Sequence, residues 1–233
     1  MLKKILFGAL TVLFALSVIG CGGGDKKDDG AAKKEEVKVE GSADKAVLAY
    51  AQLYAYGVIE DENQAAAGMT EADIEKVQEQ VIQPLVDAFK QYPLSEESVA
   101  TMTAQYIEKL HAAMDIKATV KTEDKEHPVV ELKATTIDQA GAAKVAETNT
   151  DLVALGTAYG ELQAQGLTSE QLMESPEFQQ FALESIDKFI NEFPLNPEAT
   201  LEVTCKAVEG SDGKMYWAPQ DPEAVAKFVT GQK

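Results

Sequence analysis

Residues Ala199 to Val229 read ATLEVTCKAVEGSDGKMYWAPQDPEAVAKFV. Leu201, Val203, Cys205 and Ala207 alternate with Glu202, Thr204 and Lys206, the period-two signature of a strand with one buried face. The stretch EGSDGK follows, and its Asp212-Gly213 pair suits a turn that needs positive φ. Met215-Tyr216-Trp217 supplies the return strand, and Asp221-Pro222-Glu223 reads as N-cap, first helical position and first-turn acid of a closing helix. Strand, turn, strand, helix is therefore written into about thirty residues.

The same order stands upstream in DIKATVKTEDKEHPVVELKATTIDQAGAAK, Asp115 to Lys144. Ile116, Ala118 and Val120 alternate with polar residues, as do Val130, Leu132 and Ala134, around the polar loop TEDKEHP. The stretches Asp115–Lys144 and Glu198–Lys227 align without a gap, and Val120 with Val203, Asp138 with Asp221 and Lys144 with Lys227 are identical. An internal duplication and two independent hairpins are both compatible with so few identities.

Helical periodicity fills the remainder. The first helix is expected over Ala43 to Ile59, with Val47, Ala51, Tyr54 and Val58 on one face. A second begins at Thr70 and buries Ile74, Val77, Val81, Leu85 and Phe89; Pro84 inside it should kink or split it. A third follows Ser95 with Val99, Met102, Tyr106, Leu110 and Met114. After the first hairpin, one apolar face runs through Val145, Leu152, Leu155, Tyr159 and Leu162 to Gly166. Thr168 caps a short turn, and Ser175-Pro176-Glu177 opens a helix carrying Phe178, Phe181, Ile186, Phe189, Ile190 and Phe193. Hairpins set between helical runs imply an α+β fold, helices interleaved with two β-hairpins that form a small antiparallel sheet. One such domain is expected over 42–233.

The N-terminal part differs in kind. It opens MLKKILFGALTVLFALSVIGCGGG, with Lys3 and Lys4 before an uncharged apolar run from Ile5 to Ile19. That run has the length of a signal-peptide core and is shorter than the roughly 20 residues of a membrane span. Val18-Ile19-Gly20-Cys21 resembles the lipobox of bacterial lipoproteins. The resemblance implies transfer of a diacylglyceryl group to the Cys21 sulfur and cleavage between Gly20 and Cys21. Residues 1–20 are then a signal peptide, and the chain is exported and anchored by its lipid to the outer face of the cell membrane, or to an outer membrane where the cell has one. Gly22 is not the aspartate that retains lipoproteins at an inner membrane.

Lipidated Cys21 and a tether make up 21–41. The stretch GGGDKKDDGAAKKEEVKVEG cannot bury enough apolar surface to offset its ordering entropy, so disorder is expected. A flexible chain of this length reaches about 25 Å.

Charge narrows the partners. There are 21 Lys+Arg, every one a lysine, against 39 Asp+Glu, for a net charge of −18. An anionic chain without arginine lacks the bidentate fork that grips phosphates, so no nucleic-acid partner is expected. The expected partners are the membrane, through the anchor, and a protein or small molecule of unstated identity.

No residue is assigned to catalysis, metal or cofactor. His111 and His127 are the two histidines, on different elements and without a second ligand at metal spacing. Cys205 shares its strand face with Leu201 and Val203 and reads as a small core hydrophobe. Glu60-Asp61-Glu62 lacks the alternate spacing of a calcium loop and reads as a solvated helix end. Ligand or partner contact falls to aromatic residues: Tyr50 and Tyr56, beside the first helix's stripe, and whichever of Tyr216 and Trp217 faces away from the core.

Taken whole, the lipobox, the charged tether and SADKAVLAYAQLYAYG directly behind it resemble a family of small envelope lipoproteins of unknown function from low-GC Gram-positive lineages and their double-membraned relatives. That family implies an envelope address and supplies no catalytic residues. The leading functional reading is a non-catalytic binding or interaction domain. A solute-binding lipoprotein for a transporter is the alternative, and an envelope enzyme ranks below both. Replacing Cys21 with serine removes the acceptor thiolate. The C21S protein should lose all label from an alkyne analogue of palmitate fed to growing cells and accumulate at precursor size; undiminished labelling would place the lipid elsewhere.

Overall fold

The computed structural model describes residues 38–90, 92 and 94–232. The signal peptide, Gly20, Cys21 and the tether up to residue 37 lie outside the described residues.

Among the described residues there are five strands: β1 (Val39–Glu40), β2 (Lys117–Thr122), β3 (Val129–Ala134), β4 (Ala199–Glu209) and β5 (Met215–Pro219). They form one sheet in the order β1-β5-β4-β3-β2. β2 to β5 are mutually antiparallel, joined by the two hairpins and by the β3–β4 pair, where Val130 faces Val203 and Leu132 faces Leu201. The sheet is nevertheless mixed and not the antiparallel pair of hairpins expected, because β1 adds in parallel beside β5, with Glu40 opposite Tyr216. Two residues carry no readable alternation, which hid β1 at the end of a stretch rich in charge.

The sheet has one dry face and one wet face, as antiparallel sheets commonly do. Val130, Leu132, Val203 and Cys205 point to the dry side. Helix α1 (Ala43–Tyr56) and helix α9 (Pro222–Val229) cover them through Val47, Ala51, Val225 and Val229. The opposite face carries Lys121, Glu131, Lys133 and Glu202, which form ion pairs among themselves.

A second core is purely helical. It is built from α3 (Glu71–Phe89), α4 (Glu96–Met114), α5 (Gln139–Thr148), α6 (Thr150–Ala164), α7 (Ser169–Met173) and α8 (Pro176–Asn191). Phe89, Met102, Tyr106, Leu152, Ile186 and Phe189 are at its heart. Ile107 and Leu110 of α4 pack against both cores and join them. A short helix, α2 (Asp61–Ala67), packs against α1 and had no counterpart in the periodicity. Its seven residues DENQAAA offer alanines but no apolar stripe.

Caps fall on the residues whose side-chain oxygens predicted them. Thr70 and Asp73 form a reciprocal capping box, and Ser95, Thr168, Ser175 and Asp221 each accept a backbone N–H of the first turn. Asp138 and Asp221, equivalent in the internal echo, cap their helices in the same way. Strand pairing departs from that echo. Val120 pairs with Val130, yet their counterparts would be Val203 and Gly213, and Gly213 lies in the turn while Ala207 pairs with Trp217. The two units share element order but not hairpin register.

Two helix expectations are corrected. Pro84 does not split α3, which runs unbroken from Glu71 to Phe89. One lost backbone hydrogen bond is outweighed by apolar side chains on both sides of it, Ile74 and Val77 before and Leu85, Ala88 and Phe89 after, all buried. Conversely, the apolar face expected to run from Val145 to Gly166 is divided between two helices. Asn149 breaks it with φ −63° and ψ 119°, caps α6 by accepting from the Leu152 N–H at 2.9 Å, and donates to Glu192 Oε2 at 2.7 Å. Asn149→Ala removes the cap and the bond to Glu192, and should destabilise the fold by about 1–2 kcal/mol in urea unfolding; an unchanged midpoint would mean the break is held by packing alone.

Candidate functional site

The residues expected to make contacts lie in two places. Tyr216 is the outward member of its pair: half-buried on β5, it donates from its hydroxyl to Asp212 Oδ2 at 2.9 Å. Its ring lies over two glycines. A Cβ on Gly68, which has φ +61°, would fall 2.3 Å from that ring, and one on Gly210 would fall 2.8 Å from it. Tyr216 thus stands on a surface shaped to hold it. It borders a polar basin of about 600 Å³ with Glu40, Ser42, Lys45, Glu62 and Lys214. Lys45 pairs with Glu62 and Lys214 with Asp212 across this region, so the basin's charges are largely satisfied internally.

Trp217 turns the other way and packs on the sheet core and on the small Ala46–Ala49–Ala67 cluster. Tyr50 does the same from α1, with its ring 6.3 Å from that of Tyr54. Tyr56 is 4% exposed and belongs to the core. The stripe expected on α1 holds at Val47 and Ala51, both fully buried, and fails at its end: Tyr56 is buried and Val58, beyond the helix end, is exposed at 46%. Gly57 explains the offset, since its left-handed φ of 73° ends α1 before Val58 can continue the face.

Tyr56 leads to the interior. A cavity of about 50 Å³ lies where the two cores meet, walled by Tyr56, Ile82, Tyr106, Ile107, Ile137 and Val229 among others. The Tyr106 side chain is 4% exposed, and its hydroxyl has no hydrogen-bond partner among the described residues.

Ile82 and Ile107 are shared with a second space outside. Between α3 and α4 runs an open groove of about 510 Å³, lined by Ile82 and Val86 from α3, by Leu94, and by Val99 and Ile107 from α4. Lys90 and Glu96, both exposed, stand on it, and neither has an ion-pair partner among the described residues. One end is fixed by a buried amide. Gln179 of α8 accepts from the Ser95 N–H at 2.8 Å and from the Ser98 hydroxyl at 3.0 Å, and donates to the Leu172 carbonyl at 3.1 Å. That network ties the start of α4 to α7 and α8. Sequence reading missed the groove because it assigned each helix one stripe. Ile82 and Val86 form a second row on α3, as Val99, Thr103 and Ile107 do on α4, each at spacing four.

The nucleophiles and histidines hold separate positions. His111 is exposed on α4, with its ring edge-on to Tyr56 at 5.1 Å. His127 sits in the β2–β3 loop beside Gln220 Nε2 at 3.1 Å and the Cys205 carbonyl at 3.4 Å. Glu60 is the N-cap of α2 and accepts from Asn63 Nδ2 at 3.1 Å. Among the described residues no cluster of three or more His, Cys, Asp or Glu could hold a metal ion, and no helix is long and apolar enough to cross a membrane. Compared with protein-family models, curated proteins and solved structures, the chain matches none.

Burial sets the titration of the interior. The Cys205 thiol is pushed up from 9.0 to about 12 by desolvation, and the Tyr56 phenol from 10.0 to about 12, again chiefly by desolvation. Desolvation raises Tyr92 and Tyr106 as well. Each group stays protonated in the fold while its unfolded counterpart ionises, so the associated stability is intact below pH 9 and is lost as pH climbs toward 12. The urea midpoint should therefore fall steadily across that window. Cys205 should ignore a thiol-reactive disulfide reagent at neutral pH until urea unfolds the protein; stoichiometric reaction of the native form would place the thiol at the surface.

Proposed function

We propose that this chain is an envelope lipoprotein, held through Cys21, whose folded part is a non-catalytic binding domain with its ligand site in the groove between α3 and α4. The address rests on the order of charge, apolar core, small residue and cysteine around Cys21, and on the likeness to small envelope lipoproteins of unknown function.

The observation that carries the binding reading is the groove itself. At about 510 Å³ it falls within the range of small-molecule sites, roughly 300–1,000 Å³. Its walls are apolar, with one cation and one anion at the solvent side, a composition that buries the body of a ligand and orients its polar end. The scaffold behind it is firm: Val99 and Leu94 are buried, and Gln179 clamps the start of α4. Tyr216 in the polar basin is a weaker seat, because its neighbours spend their charges on each other.

The test is native mass spectrometry of the protein released gently from its own membranes. The expected spectrum has the lipidated chain carrying a reproducible non-covalent small-molecule adduct. Ala104→Trp, which fills the groove from an exposed position, should remove that adduct while leaving the thermal melt unchanged. Lipidated chain alone, or a co-released protein that survives Ala104→Trp, would overturn the groove as the ligand site.

A further inference from the structure

Resting on that reading of the groove, we infer that its ligand is a single-chain zwitterionic amphiphile of the lysophospholipid kind, headgroup at Lys90 and Glu96 and alkyl tail directed past Ile82 and Ile107 into the interior cavity. Three features point to this chemistry together.

First, groove and cavity are consecutive spaces with a common wall. Ile82 and Ile107 line both, the wider groove of about 510 Å³ on one side and the narrower space of about 50 Å³ on the other. A flat or globular ligand would use the groove alone. A narrow chain can use both, because the inner space has room for only the last carbons of a chain: a cavity that accepts benzene is about 150 Å³. The inner lining of Val81, Leu85, Leu110 and Met114 suits alkyl carbon.

Second, the shared wall sits at a weak point of α3. Pro84 follows Ile82 by two residues and removes one backbone hydrogen bond from the helix, at the carbonyl of Gln80. On the other side, Ile107 is half-buried and packs against both cores. The wall is therefore built from the turn of α3 that carries Pro84 and from a boundary residue of α4.

Third, the rim carries both signs. Lys90 and Glu96 line one groove, both exposed and both unpaired among the described residues. A simple carboxylate or phosphate would meet Lys90 but also Glu96, in a chain whose net charge is −18. An amphiphile that is neutral overall escapes this repulsion, and its phosphate and ammonium groups match the two rim charges. The anchor proposed at Cys21 would also keep the domain near a membrane, where such lipids are found.

The experiment uses the full mature lipoprotein in phospholipid nanodiscs and a lysophosphatidylethanolamine probe with a diazirine at the tail end. Photolysis and peptide mapping should place the label on Ile82, Leu85, Ile107 or Leu110. Ala104→Trp should cut labelling by about tenfold, and Lys90→Glu by a similar factor, with the exchange Lys90→Glu/Glu96→Lys restoring most of it. Excess unlabelled lysophosphatidylethanolamine should compete, and palmitate of the same chain length should compete at least about tenfold less well. Label scattered over exposed residues would overturn the inference. So would equal competition by palmitate, or failure of the exchange variant to recover. Should native spectra carry a groove adduct while the probe labels nothing inside, the binding reading stands and the lysophospholipid assignment falls; absence of both defeats the two together.

Discussion

Everything in this fold turns on one helix that must satisfy two cores. The sheet needs a cover for Val130, Leu132, Val203 and Cys205, and α1 with α9 supplies it. The helical layer needs a partner for Phe89, Ile186 and Phe189, and finds it in Met102 and Tyr106 of α4. The lower half of α4 then runs on to the sheet side, where Met114 belongs wholly to the sheet core. Ile107 and Leu110 sit at the crossing and touch both. No single ridge-and-groove geometry can be ideal against a helical layer and a sheet layer at once. Close packing is therefore hardest to reach at that crossing. The interior cavity lies there, with Tyr106 in its wall.

The same constraint explains why the groove is open. α3 turns its main stripe, Leu85 and Phe89, toward the helical core, and α4 does likewise with Val99, Met102 and Tyr106. Both helices keep a second apolar row beside the first, Ile82 with Val86 and Thr103 with Ile107. A helix facing a single partner needs an apolar stripe of roughly 100°. These two carry more, and no third element among the described residues covers the surplus. Alanines at 100 and 104 keep that strip shallow and passable.

Much of this was legible wherever the physics is local. A cap needs one side-chain oxygen within three residues of a backbone N–H, so Thr70, Ser95, Ser175 and Asp221 announce their helices unaided. Alternation over six or more residues likewise fixes which face of β3 and β4 is dry. What escaped reading depends on distant partners. β1 is two residues long and is a strand only because β5 lies beside it. The break at Asn149 could be suspected from the Thr148-Asn149-Thr150-Asp151 run, but apolar spacing carried the pattern through it; Glu192, forty-three residues on, helps to hold it. Tyr56 was set aside as a contact residue because its neighbours suggested a stripe that Gly57 cuts short. The groove needs two helices laid side by side, and a single-helix pattern describes only one wall.

On the proposed reading, charge decides what kind of binding the groove can offer. A chain of net charge −18 gives no electrostatic steering to anions, and at physiological ionic strength fields fade over about 8 Å. Capture at the groove must then rest on apolar contact, about 0.8 kcal/mol for each methylene withdrawn from water, with Lys90 and Glu96 acting only at short range. Contact energy of that kind favours long chains over compact solutes and is indifferent to their source. In the proposed complex, selection would come from the rim, where two opposite charges without an ion-pair partner among the described residues admit a neutral head and penalise a singly charged one.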